Sequence, residues 1–145
     1  MSDDRTLRLR RVIKAPVAEV FDAWIDPNLL VQWWGPENFT IPSHEIDARE
    51  GGAWTTTMLS PEGTRHTVSG VYKVIDRPNK LVFTWQWTQD DGSEGHETEV
   101  TVTFAPAAEG TRLDFVQAVF ENSEQAKNHA FGWESSFVCL DRLFA

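Results

Sequence analysis

Leu81-Val82-Phe83-Thr84-Trp85-Gln86-Trp87 is a strand with two unlike faces. Leu81, Phe83, Trp85 and Trp87 fall on one side and Val82, Thr84 and Gln86 on the other, the period of two that a half-buried strand requires. Upstream, Gly51-Gly52 opens a strand running to about Leu59, Pro61-Glu62-Gly63 turns the chain, and Thr64 to Ile75 runs back to a turn at Arg77-Pro78-Asn79. Downstream, Asp90-Asp91-Gly92-Ser93 closes a hairpin. His96, Thr98, Val100, Val102 and Phe104 then alternate with Glu97, Glu99, Thr101 and Thr103. Ala108-Glu109-Gly110 turns once more, and Leu113, Phe115, Gln117 and Val119 end the series. From about His44 to Phe120 the chain therefore reads as consecutive strands joined by short turns, an antiparallel meander with one buried face.

Two helical regions flank the meander. After a first strand over Thr6 to Ile13, Pro16 suits a first helical position, and Val17, Val20, Phe21 and Trp24 form one apolar stripe. Asp26-Pro27 starts a second short helix that should carry Leu29, Leu30 and Trp33 and stop at Gly35-Pro36. At the other end, Asn122 caps a long helix whose stripe is Ala126, Ala130, Trp133, Phe137, Leu140 and Phe144. That stripe has to be buried, and the apolar face of the sheet is the partner large enough to bury it. The expected architecture is α+β: a strand, two short helices, a long meander, and a long C-terminal helix laid across it.

No linker or repeat divides the 145 residues, so residues 1–145 read as one domain. The longest apolar run, Phe137 to Leu140, is four residues, far short of a membrane span. Thirteen Lys and Arg against 22 Asp and Glu give a net charge of -9, which repels phosphate backbones and anionic lipids. Neither nucleic acid nor membrane is an expected partner. A start without an apolar stretch and a single cysteine, Cys139, point to the cytoplasm.

Chemistry is sparse. His96, Glu97 and Glu99 look clustered, but on a strand His96 faces away from both carboxylates. No spacing of His or Cys suits a metal, no nucleophile elbow or phosphate loop occurs, and Cys139 sits beside an apolar stripe as a small hydrophobe. The expectation is no metal, no cofactor and no catalytic residue. What stands out is ring content: seven Trp and nine Phe against one Tyr. Such rings fill a core or line an apolar cavity.

Four stretches carry a family resemblance: Arg11 to Pro36 (RVIKAPVAEVFDAWIDPNLLVQWWGP), Gly51 to Trp54 (GGAW), Gly70 to Tyr72 (GVY) and His129 to Trp133 (HAFGW). In this order they resemble the START-like, helix-grip superfamily, in the branch named for the activator of the 90-kDa heat-shock protein ATPase. The resemblance implies a curved antiparallel sheet gripping the C-terminal helix around an apolar cavity. Its members include lipid carriers, cyclases and co-chaperones, so fold and function are separate questions.

Within that frame the expected ligand is a small hydrophobic or amphipathic molecule. Inward rows supply Trp54, Met58, Tyr72, Phe83, Trp85 and Phe115, and the helix supplies Trp133 and Phe137. Trp33, beside Trp34, sits where the resemblance places one end of the cavity, and helical geometry allows only one of those two rings to face the core fully. His129, one turn before Trp133 and next to the small residues Gly132 and Ser136, is either a polar anchor in the cavity or a histidine satisfied within a packed core. His66 and His96 face inward by register, as ligand contacts or as the rim ends of buried rows. Two other functions stay open: a co-chaperone acting on a heat-shock ATPase, and a cyclase- or hydrolase-type enzyme using the same cavity. A monomer or weak homodimer is expected.

Overall fold

The computed structural model describes residues 4–89 and 91–145. Strand β1 (Leu7–Ile13) is followed by helix α1 (Val17–Ile25) and helix α2 (Pro27–Leu30). Strands β2 (Thr40–Ile46), β3 (Ala53–Leu59), β4 (Arg65–Asp76), β5 (Lys80–Thr88), β6 (Glu94–Ala107) and β7 (Gly110–Ala118) come next, and helix α3 (Ser123–Leu143) ends the chain. The seven strands form one antiparallel sheet in the order β1-β7-β6-β5-β4-β3-β2. The meander thus runs in sequence order from β2 to β7, and β1 returns to pair with β7, Leu9 opposite Phe115. Alternation does what it implies: Phe83, Trp85, Val100, Val102, Phe104, Leu113 and Phe115 are all buried against the helices.

Two close approaches shape the sheet. Gly70 faces Trp54 across β3 and β4, and a Cβ there would collide with the carbonyl oxygen of Thr84. Nearby, the register between β4 and β5 shifts between Tyr72 and Val74, the local extra residue of a bulge. Gly110, at φ 145°, lies so close to Ile13 that a side chain would strike the Ile13 carbonyl. The neighbouring Thr111 hydroxyl donates to the Ala15 carbonyl at 2.8 Å, which fastens the end of β1 to the start of β7.

The helices start where cap chemistry places them. Asp26 accepts from the Asn28 N–H at 3.0 Å ahead of Pro27, and Asn122 accepts from the Gln125 N–H at 2.9 Å at the start of α3. Pro16 is the cap of α1 itself, one residue before the first helical position expected for it. The larger departure is α2, which stops at Leu30 and does not reach Trp33. Because Trp33 and Trp34 lie in the turn beyond it, the 100° spacing of a helix does not govern them, and both rings are buried, 1% and 5% exposed. Trp33 donates its indole N–H to the Ala23 carbonyl at 2.9 Å and Trp34 to the Thr56 hydroxyl at 3.0 Å.

Strand β2 carried no separate signal. It is the sheet's edge, mostly exposed and without an alternating buried row, so no periodicity marked it. Val119, expected to end the last inward row, lies past the end of β7 and is exposed. In the turn before β6, Asp90 lies outside the described residues.

Helix α3 closes onto the sheet unevenly. Toward its C-terminus Asp141 pairs with Arg11 of β1, Arg142 with Glu37, and the Ser135 hydroxyl accepts from the Glu37 N–H at 2.8 Å. Beneath this half lies a closed cluster of rings centred on Trp24. Its ring centroid is 4.7 Å from Trp33, 6.0 Å from a stacked Trp133, 6.2 Å from Phe137 and 6.3 Å from Phe115. Among the described residues no helix is long and apolar enough to cross a membrane.

Candidate functional site

Toward the N-terminal half of α3 the two layers part. A cavity of about 490 Å³ lies there between the sheet, the turn after α2 and the helix. β5 contributes Trp85 and Trp87, β3 contributes Met58 and β4 contributes His66. The turn after α2 supplies Trp34, Gly35, Pro36 and Phe39, and α3 supplies Gln125, Asn128, His129, Gly132, Trp133 and Ser136. Rings dominate the walls, and the helix explains the room. Gly132 has no side chain to fill it, and a Cβ built there would meet nothing within 4 Å.

Of the twelve residues expected at a ligand site, the structure brings Met58, His66, Trp85, His129 and Trp133 together around this cavity. Trp54, Tyr72 and Phe83 do not reach it. With Trp24, Leu30 and Trp34 they surround a void of only about 10 Å³, far below the volume of an organic ligand site. Trp33, Phe115 and Phe137 belong to the packed cluster around Trp24. The reason is volume: eight rings meet at the closed end of the grip and fill it, so the inward rows there are core. His96 does lie on the inward row of β6 but is exposed at the rim, its Nε2 2.7 Å from the Val119 carbonyl oxygen. It lines a second cavity of about 150 Å³ that shares Trp85, Trp87, Gln125 and His129 with the first.

His129 therefore stands in the wall between two cavities. Its Nε2 lies 2.9 Å from Nε1 of Trp87, and an indole nitrogen only donates. Nε2 must accept, which puts the imidazole proton on Nδ1, where it is donated to the Gln125 carbonyl at 2.8 Å. Burial pushes the His129 pKa below the ordinary histidine value, while the bond to Gln125 opposes the shift. Phe120 packs beside the ring at 4.7 Å. At neutral pH this is an uncharged histidine with both nitrogens engaged.

His66 is different. It is exposed, its ring 6.2 Å from Phe39 and 6.3 Å, edge-on, from Trp87. Behind Trp133, Gln117 holds the core's polar chain: its Oε1 accepts from the Trp133 indole at 2.8 Å and its Nε2 donates to the Thr98 hydroxyl at 2.8 Å. Among the described residues no three of His, Cys, Asp and Glu stand where they could share a metal ion. Trp87, Phe39, Gln125 and Asn128 are lining residues that the sequence had not singled out. Trp87 carried the right alternation, while Phe39 lies beyond any periodic segment.

Comparison with known proteins agrees with this layout. Residues 14–145 match the family model described as Activator of Hsp90 ATPase homolog 1-like protein. The chain is 26% identical over 140 residues to a Dictyostelium discoideum protein named activator of 90 kDa heat shock protein ATPase homolog. That match takes in 96% of this chain but 32% of the relative, so the chain spans about a third of it. Among solved structures, the AHSA1 protein of Silicibacter pomeroyi is 34% identical with a TM-score of 0.87, over 94% of this chain and 95% of that one. A Chromobacterium violaceum protein is 32% identical with a TM-score of 0.85, over 96% of both chains.

Proposed function

The chain belongs to the Activator of Hsp90 ATPase homolog 1-like family, and from that premise we propose that it binds a small hydrophobic or amphipathic molecule in the cavity beneath the N-terminal half of α3. One observation carries the reading: about 490 Å³ of space walled by Trp34, Trp85, Trp87, Trp133, Phe39 and Met58. This volume falls within the usual range of ligand sites, which are mostly apolar with a few convergent polar groups. Interiors elsewhere fill to crystal-like density, so an apolar space of this size is the default candidate for a ligand site. The Trp24 cluster in this same molecule does fill.

The test is direct. Native mass spectrometry of freshly purified protein should show a copurified small molecule, and a hydrophobic fluorescent probe should quench tryptophan emission saturably, one to one, while raising the melting temperature. Linear, unsaturable quenching without thermal stabilisation would count against a site.

A second reading is regulation of a heat-shock ATPase. It is supported by the match to a relative whose name states that role, and Phe131 offers a place to probe it, a ring 75% exposed on α3. Adding the chain to a purified chaperone of that class should raise its ATPase rate, and Phe131→Ser should reduce the effect. An unchanged rate would count against this second reading.

A further inference from the structure

Among the described residues seven Ser, Thr and Gln side chains are buried, and six of them are hydrogen-bonded, while the buried indole N–H groups of Trp24, Trp54 and Trp85 have no partner. Thr56 accepts from Trp34, the Ser60 hydroxyl from the Thr64 N–H, and the Thr84 hydroxyl from the Val71 N–H. Thr111 donates to Ala15, and Gln117 bonds both Thr98 and Trp133. Among the seven, Ser136 is the exception. It is 3% exposed, and its hydroxyl makes no hydrogen bond with the protein. It lines the large cavity one turn after Gly132, which leaves the space in front of it open. The Ser136 hydroxyl is open to the cavity and free to bond whatever occupies it, whereas the unpaired indole N–H of Trp85, on the same cavity, is fully buried.

The charges around the cavity narrow the class of partner. None of its 14 lining residues is Asp, Glu, Lys or Arg. A carboxylate or phosphate placed there would lose its hydration and find no cation, and the net charge of -9 adds to the penalty. Four indole rings offer flat apolar faces, which favour offset stacking with another ring.

We propose that the cavity takes an uncharged, flat aromatic molecule bearing one hydroxyl or carbonyl group, which meets the Ser136 hydroxyl while its rings pack among Trp85, Trp87 and Trp133. The proposal rests on the ligand-binding reading above and restricts it: anionic amphiphiles such as fatty acids are poor occupants. Size, ring faces and a lining without Asp, Glu, Lys or Arg set the selectivity.

Three probes of one ring system separate the parts: naphthalene, 2-naphthol and 2-naphthoate, titrated against the full chain at about pH 7.5. There the naphthol is uncharged and the naphthoate is ionised. Naphthol should bind at least about tenfold more tightly than naphthoate, whose charge has no partner. Ser136→Ala should weaken naphthol by roughly three- to tenfold, the usual worth of one hydrogen bond, and leave naphthalene unchanged. Naphthoate binding as tightly as naphthol overturns the proposal, and it does so on the unmutated protein, whatever becomes of the variant's fold. Equal losses for naphthol and naphthalene in Ser136→Ala overturn it too, with Ser136→Cys as the control that retains the side chain's size. If none of the three binds, the ligand-binding reading fails with it. If all three bind alike, that reading stands and this one falls.

Discussion

The indole N–H of Trp87 donates to Nε2 of His129 across 2.9 Å, and this bond decides which imidazole nitrogen carries the proton. Protonation would put an N–H on Nε2 pointing at another N–H. Burial disfavours the charged ring further, and the His129 pKa is lowered accordingly. The folded state therefore binds this proton less readily than the unfolded chain does. As pH falls below the ordinary histidine value of about 6.5, the unfolded state takes up a proton first and stability is lost. An NMR titration should place the His129 midpoint below that value, with the Trp87 indole proton shifting alongside. A midpoint at or above 6.5 would mean the ring is solvated. Urea midpoints should also fall more between about pH 7.5 and 5.5 for the wild type than for His129→Gln.

Gln117 is the polar joint of the core, tied to Trp133 on one side and Thr98 on the other. Gln117→Leu keeps the apolar bulk but leaves the Trp133 indole N–H buried and unpaired. The expected loss is about 1–3 kcal/mol, the cost of an unsatisfied buried donor. Combining it with Trp133→Phe should cost less than the sum of the single changes, since the ring then has no donor to orphan. Additive losses in a double-mutant cycle would show that the bond contributes nothing.

Much of this framework was legible in the sequence because the period of two survives wherever one face of a strand is buried, as it does from Thr98 to Phe104, whereas Val82 and Thr84, read as the open face of their strand, are buried as well. Strand β2 was not legible, since an exposed edge strand has no row to keep apolar. The site was legible only in part. Periodicity tells which side chains point inward, and it does so equally for Phe115, packed against Trp133 at 4.6 Å, and for Trp85, which lines the cavity. What separates core from cavity is whether opposing rings meet. That depends on the path of the turn holding Trp33 and Trp34 and on where Gly132 thins the helix, both matters of tertiary geometry. The clue present in the sequence was the run of small residues on one helix face, Gly132 and Ser136 beside His129.

Trp133 joins the two regions. Its ring stacks on Trp24 at 6.0 Å, packs on Phe115, and forms part of the cavity wall. Trp133→Ala should cost roughly 3–5 kcal/mol, as a large-to-small change in a core usually does, with the lost bond to Gln117 adding to it. Equilibrium urea unfolding measures this. A loss below about 1 kcal/mol would mean that the surrounding rings collapse into the space, which the dense Trp24 cluster leaves little freedom to do.

Gly132→Leu separates stability from occupancy. A Cβ at this position meets no atom within 4 Å, so the first carbon of the new side chain enters free space in the cavity. Leucine is the better helix former by about 1 kcal/mol, and position 132 lies well inside α3, away from either cap. The variant should therefore melt at or above the wild-type temperature while losing at least about tenfold in affinity for a ring-shaped probe such as 2-naphthol. Gly132→Ala provides the graded control: it gains most of the helix propensity, fills far less volume, and should weaken the probe only slightly. A folded Gly132→Leu protein that binds the probe unchanged would move the ligand out of this cavity. A Gly132→Leu protein that unfolds while Gly132→Ala does not would show that the space closes in solution, and with it the case for a pocket beneath α3.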